Sequence, residues 1–188
     1  AKSDAIVYGG RNYEKKAPEN KDYFFRWYYG VKRETTSAFT RKKHPYRSFM
    51  TNNFLIPKEV FLKYPLDEAI KGYGHEDTLL GIELKKAGVP IIHIDNPLCH
   101  IGLETAEEFL EKSISGIENL KLLIREGKIT NDVKLYNYYQ FLKKTGLTVP
   151  IKMLGKAYIK GIEKRLKSSN PKLSLFDFWK LYYLSKGL

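Results

Sequence analysis

The stretch Gly72-Tyr73-Gly74-His75-Glu76-Asp77-Thr78 constrains the fold more than any other part of the chain. Two glycines set a turn, and the acidic pair Glu76-Asp77 opens a segment with apolar residues Leu79, Leu80, Ile82 and Leu84. Glu83, Lys85 and Lys86 interrupt that series at helical spacing, and Ala87-Gly88 supplies a helix stop. The apolar run Val89 to Ile94 follows at once and reads as a strand. A helix that returns directly to a strand has to pack on a sheet, so this region is α/β. Carboxylates in a first helical turn face the positive end of the macrodipole. Glu76 and Asp77 by themselves therefore read first as a well-capped helix start, and only their neighbours make them acids held rigidly for use.

The preceding residues supply the rest of the α/β part. Ala5 to Tyr8 is a short strand ending in Gly9-Gly10, and residues 11–22, with Pro18 and Asn20, form a loop. Tyr23 to Tyr29 is strongly aromatic and closes at Gly30; its rings suit a core or a sugar-stacking platform. Lys32 to Arg47 is basic, has no clear period and reads as one long loop. Ser48 to Ile56 has strand-like content around Thr51-Asn52-Asn53, and Pro57 begins a short helix, Lys58 to Tyr64. After the strand ending at Ile94, Asp95-Asn96-Pro97 turns the chain and Cys99-His100 follows.

The remainder is helical. Thr105-Ala106-Glu107-Glu108 matches a capping box, and Phe109, Leu110, Ile114, Ile117, Leu120 and Ile124 then hold helical spacing up to Gly127. Further helices are expected from Asp132 to Thr145, from Pro150 to Ser168, and from a Ser174 cap onwards. The expected division is an α/β part over 1–127 and a helical extension over 128–188.

Charge sharpens the picture. The formal net charge of +12 comes from 33 Lys and Arg against 21 acids. Residues 1–50 carry 12 Lys and Arg against 5 acids, and residues 151–188 carry 9 against 2. Residues 51–150 carry 12 against 14, so the acidic centre lies between two basic ends. No nucleic-acid motif accompanies the basic residues and the centre is acidic, which disfavours that partner class relative to an anionic small substrate or a membrane surface. One cysteine, Cys99, excludes an internal disulfide and fits a reducing compartment. No stretch approaches the roughly 20 apolar residues of a membrane span. The expected location is the cytoplasm, with peripheral attachment at the inner face of the membrane.

Three pieces carry polar chemistry at strand or turn boundaries, where α/β folds place ligands: Thr51-Asn52-Asn53, the Gly72 to Asp77 turn, and His100. The runs Asn53-Phe-Leu-Ile, Gly72-Tyr-Gly-His-Glu-Asp-Thr and Ile94-Asp-Asn-Pro-Leu-Cys-His100 resemble the C-terminal half of a bacterial family 2 glycosyltransferase of the GT-A type. The resemblance covers roughly residues 5 to 125, and Tyr8-Gly9-Gly10 fits it as well. It implies a partial GT-A-like sheet with flanking helices, followed by a helical C-terminal tail.

It also implies an inverting transfer of sugar from a nucleotide-sugar donor to a hydroxyl of a glycan or lipid-linked acceptor. Asp77 matches the general base and Glu76 a neighbour that binds acceptor hydroxyls. Asn53, Gly72, Tyr73, Gly74 and His75 match positions lining the sugar pocket. His100 matches a histidine that ligates a divalent metal, Mn²⁺ or Mg²⁺, on the donor diphosphate. Read without the resemblance, His100 is first an ordinary buried histidine, and Asn53 is open to the reading of a residue that satisfies backbone groups at a strand end. The nucleotide-binding βαβ units and the Asp-x-Asp motif of the family are not found among these residues. The expectation is thus an acceptor-side half, inactive alone, whose sheet, begun at Ala5, exposes an edge available for dimerisation. A non-catalytic carbohydrate-binding or interaction module on the same scaffold is the alternative.

In the tail, Lys152, Lys156, Lys160 and Lys164 recur every four residues and form one cationic stripe. Ile151, Leu154, Tyr158, Ile162 and Leu166 supply an apolar side. A basic amphipathic helix of this kind suits either a membrane interface over 150–188 or a solvated face on a packed helix.

Overall fold

A computed structural model describes residues 4–67, 70 and 72–188. The first three residues of the expected α/β part, and Lys71 before the glycine turn, lie outside the described residues. The chain is mixed α/β with small sheets and a helical C-terminal region. Its residues gather into two compact units. The first comprises Ala1–Lys16, Tyr28–Lys71 and His75–Gly102; the second comprises Ala17–Trp27, Gly72–Gly74 and Leu103–Leu188. Helix α1 (Phe24–Tyr29) contributes residues to both. This grouping differs from a division at residue 127, because the capping-box helix belongs with the helical residues that follow it.

In the first unit, strand β1 (Ile6–Tyr8) lies at the centre of a three-stranded sheet. It pairs antiparallel with β3 (Phe54–Leu55) and parallel with β4 (Ile91–His93), Tyr8 standing opposite both Phe54 and His93. Both sides of β1 are occupied, and β3 and β4 form the edges of this sheet. Strand β2 (Arg11–Asn12), expected as loop, pairs parallel with β5 (Leu98–Cys99). Backbone bonds from Ile94 N–H to the Tyr8 carbonyl (3.0 Å), Asn96 to Gly9 (3.2 Å) and Leu98 to Gly10 (3.3 Å) join the two ladders into one kinked ribbon.

Alternation along the strands divides the sheet into two faces. Ile6, Tyr8, Ile91 and His93 are buried, whereas Leu55 and Ile92 are exposed on the other face. The buried apolar residues pack with Phe49, Val60, Leu80 and Leu84, from the loop before β3, α3 (Lys58–Lys63) and α4 (Glu76–Lys86). Tyr8 and Phe49 meet edge to face at 5.7 Å, as do Phe49 and Phe54 at 5.5 Å, the favoured geometry for aromatic quadrupoles.

The stretch 32–47 corrects the reading as one long loop. A π-helical turn over Gly30–Glu34 leads to α2 (Ala38–Arg41), which Ser37 caps by accepting the Thr40 N–H at 3.3 Å. Arg41 explains the order: its buried guanidinium donates to the carbonyls of Gly9 (3.1 Å), Ile94 (2.7 Å) and Thr36, and its Nε to His93 Nδ1 (3.2 Å). His93 Nε2 in turn donates to the Pro45 carbonyl at 3.0 Å. Asp95 accepts the Ala38 N–H at 2.6 Å, which ties α2 to the turn after β4.

The second unit is built on helices. Helix α5 (Ala106–Arg125) begins with the expected capping box, Thr105 Oγ1 accepting the Glu108 N–H and Glu108 accepting the Thr105 N–H. It is followed by α6 (Lys134–Lys144), α7 (Thr148–Leu166) and α8 (Leu173–Ser185), and α8 packs against all three. Ser174 lies inside α8 rather than capping it; Lys172 precedes the helix with no side-chain cap. Phe25, Phe109 and Phe176 meet at 5.1–5.5 Å between centroids, so the aromatic stretch supplies core at Phe25.

Helix α7 turns differently from its sequence pattern. Gly155, Ile162 and Leu166 are buried, but Leu154 and Tyr158 are exposed. The cause is Gly155, where an added Cβ would stand 1.9 Å from the Tyr182 ring. The missing side chain lets α8 approach closely and sets which side of α7 is covered. Glu163, the one acid of α7, accepts hydrogen bonds from Trp179 Nε1 (3.0 Å) and the Tyr183 hydroxyl (3.1 Å). Burial and that carboxylate push the Tyr183 hydroxyl up to about 12, so it remains a donor at neutral pH.

Candidate functional site

The heptapeptide of the sequence is shared between the units, and each part is held by different partners. Gly72, Tyr73 and Gly74 dock on α5. The Tyr73 N–H donates to Ser115 Oγ at 3.2 Å, and the Asn119 amide donates to the carbonyls of Tyr73 (3.2 Å) and Gly74 (3.3 Å). Gly72 and Gly74 hold φ of 83° and 104°, where a side chain is strained. A Cβ on Gly74 would also stand 3.0 Å from Gly116 Cα, so two glycines meet where the turn touches the helix. The Tyr73 ring is half exposed beneath the Lys112 ammonium, 5.6 Å from its centroid.

His75, Glu76 and Asp77 belong to the first unit. His75 takes the left-handed conformation with φ of 75°, and among the described residues no other non-glycine residue has positive φ. Backbone strain of this kind costs on the order of 1–3 kcal/mol and concentrates at sites where geometry has a use. Its Nδ1 lies 3.3 Å from Thr78 Oγ1. The side chain keeps some accessible surface, yet crowding by protein pushes the imidazole down to about 4, so the ring is neutral near pH 7. Glu76 occupies the first position of α4, partly accessible.

Asp77, one residue further, reaches back to the turn before β3. Its Oδ1 accepts the Thr51 N–H at 3.0 Å and the Thr51 hydroxyl. Two of the three polar pieces of the sequence are thereby joined, through a carboxylate fixed at both the helix and the turn. Asn53, two residues on, donates both amide hydrogens to backbone, to Gly10 O at 2.9 Å and Asn96 O at 2.8 Å. The same amide sits under Gly9, where a Cβ would stand 2.4 Å from Asn53 Nδ2. Asn53 thus fastens the kink of the parallel ribbon.

His100 ends the ribbon. Its N–H donates to the Asn12 carbonyl at 2.9 Å and its ring tilts against Tyr13 at 5.2 Å. Tyr13 donates to the Glu34 carboxylate, which also accepts Arg11 Nη1 at 3.0 Å. That carboxylate is bound to a cation and a phenol, so it does not offer itself beside His100 as a second ligand. Among the described residues, no group of three or more His, Cys, Asp and Glu side chains could hold a metal ion.

Several residues that shape the site escape the sequence pattern. Ser115, Gly116 and Asn119 hold the glycine turn, and their signal is the small and polar interruption of an otherwise apolar helical face. Arg41 carries no such signal among the many basic residues around it. No protein-family model, no curated protein and no solved structure matches the chain.

Proposed function

We propose that these residues form the acceptor side of an inverting glycosyltransferase. The observation that carries the reading is Asp77: a carboxylate at the first turn of α4, fixed by the Thr51 N–H and hydroxyl, directly after a strained left-handed turn. A general base has to be held within hydrogen-bond reach of the proton it takes, and a helix start anchored to a second loop gives that rigidity. In the reaction an acceptor hydroxyl oxygen forms a bond to the anomeric carbon of a nucleotide sugar. The bond from that carbon to the diphosphate oxygen breaks, the nucleoside diphosphate leaves, and the hydroxyl proton passes to Asp77. Glu76, the first residue of the same helix, supplies a hydrogen-bonding group suited to an acceptor hydroxyl.

The test is Asp77→Asn in the full polypeptide that carries this sequence, assayed against a panel of nucleotide sugars and hydroxyl acceptors. The amide oxygen still accepts from Thr51, so the fold is kept while the base is removed. Loss of about 10²–10⁴-fold in turnover is expected for a missing general base; unchanged turnover contradicts the assignment.

A second reading has its own observation. Asp77 and Asn53 are both engaged with backbone, as expected of residues that only hold loops in place. It makes the chain a non-catalytic carbohydrate-binding module. Saccharide binding unaffected by Asp77→Asn, with no transfer by the wild type, favours it.

A further inference from the structure

Helix α7 carries two apolar sides, and only one of them is covered by its own unit. Gly155, Ile162 and Leu166 face α8. At about 100° per residue, Met153 and Ala157 fall on the opposite side, with Leu154 beside them and Tyr158 nearer the covered side. All four are exposed, Met153 by 68% and Tyr158 by 63%. Leu147 and Val149 at the start of the helix are exposed as well.

The charge around this strip has one sign. Residues 133–162 contain six lysines and no Asp or Glu. Lys152, Lys156 and Lys160 lie along one flank of the exposed strip, and all three are exposed. Among the described residues they have no carboxylate partner. The only acid of α7, Glu163, is turned inward onto Trp179 and Tyr183. A helix that only needed solubility would alternate its charges. Here exposed apolar residues are combined with unopposed cations, and the one anion is withdrawn.

We infer that the outer side of α7 docks on a lipid bilayer surface bearing anionic headgroups. Met153, Leu154 and Tyr158 enter the boundary between headgroups and acyl chains, and the lysines extend their stems to reach the phosphates. No helix among the described residues is long and apolar enough to cross a membrane, so the contact is interfacial. This inference stands on the surface of α7 and is independent of the glycosyl-transfer reading.

Vesicle flotation of the full chain tests it, using phosphatidylcholine alone and phosphatidylcholine with about one part in three phosphatidylglycerol. Wild type is expected to float with the anionic vesicles at low salt, to float little with the neutral ones, and to be released as salt rises. Each lysine near the surface contributes about five-fold, so K152Q/K156Q/K160Q lowers partitioning by about 100-fold. M153S/L154S/Y158S is expected to weaken it as well, because apolar insertion is lost. The exposed control K58Q/K63Q/K86Q, with the same loss of charge in the first unit, leaves flotation unchanged. Circular dichroism shows whether the variants keep their helices.

The inference is overturned by absent flotation at low salt, by equal flotation on both vesicle types, or by an equal loss in the control. Normal flotation of either α7 variant overturns it too. A concentration-dependent dimer that M153S/L154S/Y158S converts to monomer, without vesicle binding by wild type, assigns the strip to a second copy instead.

Discussion

The two units solve the problem of burial in opposite ways. The first closes its small sheet with polar hardware: Arg41, His93, Asn53 and Asp77 all reach across loops to bind backbone. The second relies on packed rings and aliphatic side chains around Phe176, Trp179, Leu120 and Leu184, and leaves an apolar strip outside. Strands of two or three residues bury too little apolar surface to define a loop-rich region, so directional bonds fix its geometry. Four long helices have surface to spare. The lesson is that the residues most like a catalytic set lie in the unit whose structure depends on polar bonds, which makes structural and chemical roles hard to separate there.

The comparison predicts unequal tolerance. Arg41→Met removes the donors to three carbonyls and His93, and is expected to destabilise the first unit by about 3–5 kcal/mol, the scale for breaking a buried charged network. Arg41→Lys rescues little, because one ammonium cannot reproduce the planar fork. Leu181→Met, at a buried position of α8 in the second unit, is expected to cost under about 1.5 kcal/mol, as a volume-conserving apolar exchange. Urea titration with hydrogen exchange read separately in each unit checks both. Equal losses would break the contrast.

Much of the fold was legible in the sequence because its signals are local. The capping box at Thr105, the Gly88 and Gly127 stops and the apolar periods of α4 and α5 each act within one or two turns of chain. The central place of β1 was not legible, since short strands gain their partners from distant residues. Arg41 was invisible for a related reason: it is one of many basic residues in 32–47, and only its four acceptors distinguish it. At the candidate site, the turn and the acidic pair could be read from residue type, and Thr51 belonged to a recognised polar piece. The bond that joins them, and the docking of the turn by Ser115 and Asn119, depend on tertiary approach.

A weak point of the second unit tests the other side of the contrast. Gly155→Ala forces a Cβ into the Tyr182 ring and is expected to cost about 1–3 kcal/mol by overpacking. Tyr182→Leu in the same chain should recover part of that loss. Additive losses in the double variant would show that the close approach of α7 and α8 is not the cause.

Acid should act on the polar network of the first unit. Burial, and then the Arg41 and Lys42 charges, lower His93 below its ordinary value, while its bond to the Pro45 carbonyl acts the other way. Its Nδ1 is occupied as an acceptor of Arg41, and the Tyr8 ring packs edge-on at 5.4 Å. The folded state therefore binds this proton less well than the unfolded chain. The stabilising contribution of neutral His93 is complete above the unfolded value of about 6.5 and is lost as the pH falls through it towards the lower folded value. Urea midpoints at pH 8 and pH 5 should show a larger fall for wild type than for His93→Gln.

The smallest effect belongs to the uncovered strip. Met153→Ser removes no buried contact, so stability should stay within about 0.5 kcal/mol of wild type. A larger loss, measured by the same titration, would mean that this side of α7 is already covered.

The most direct test of the central claim is the turnover of Asp77→Asn beside wild type, in the full polypeptide, with the fold of both checked by hydrogen exchange at Thr51. A protected Thr51 amide is expected in both, with turnover lower by at least about 100-fold in the variant. Equal turnover with equal protection would contradict that claim, leaving Asp77 as a carboxylate that only fastens a loop.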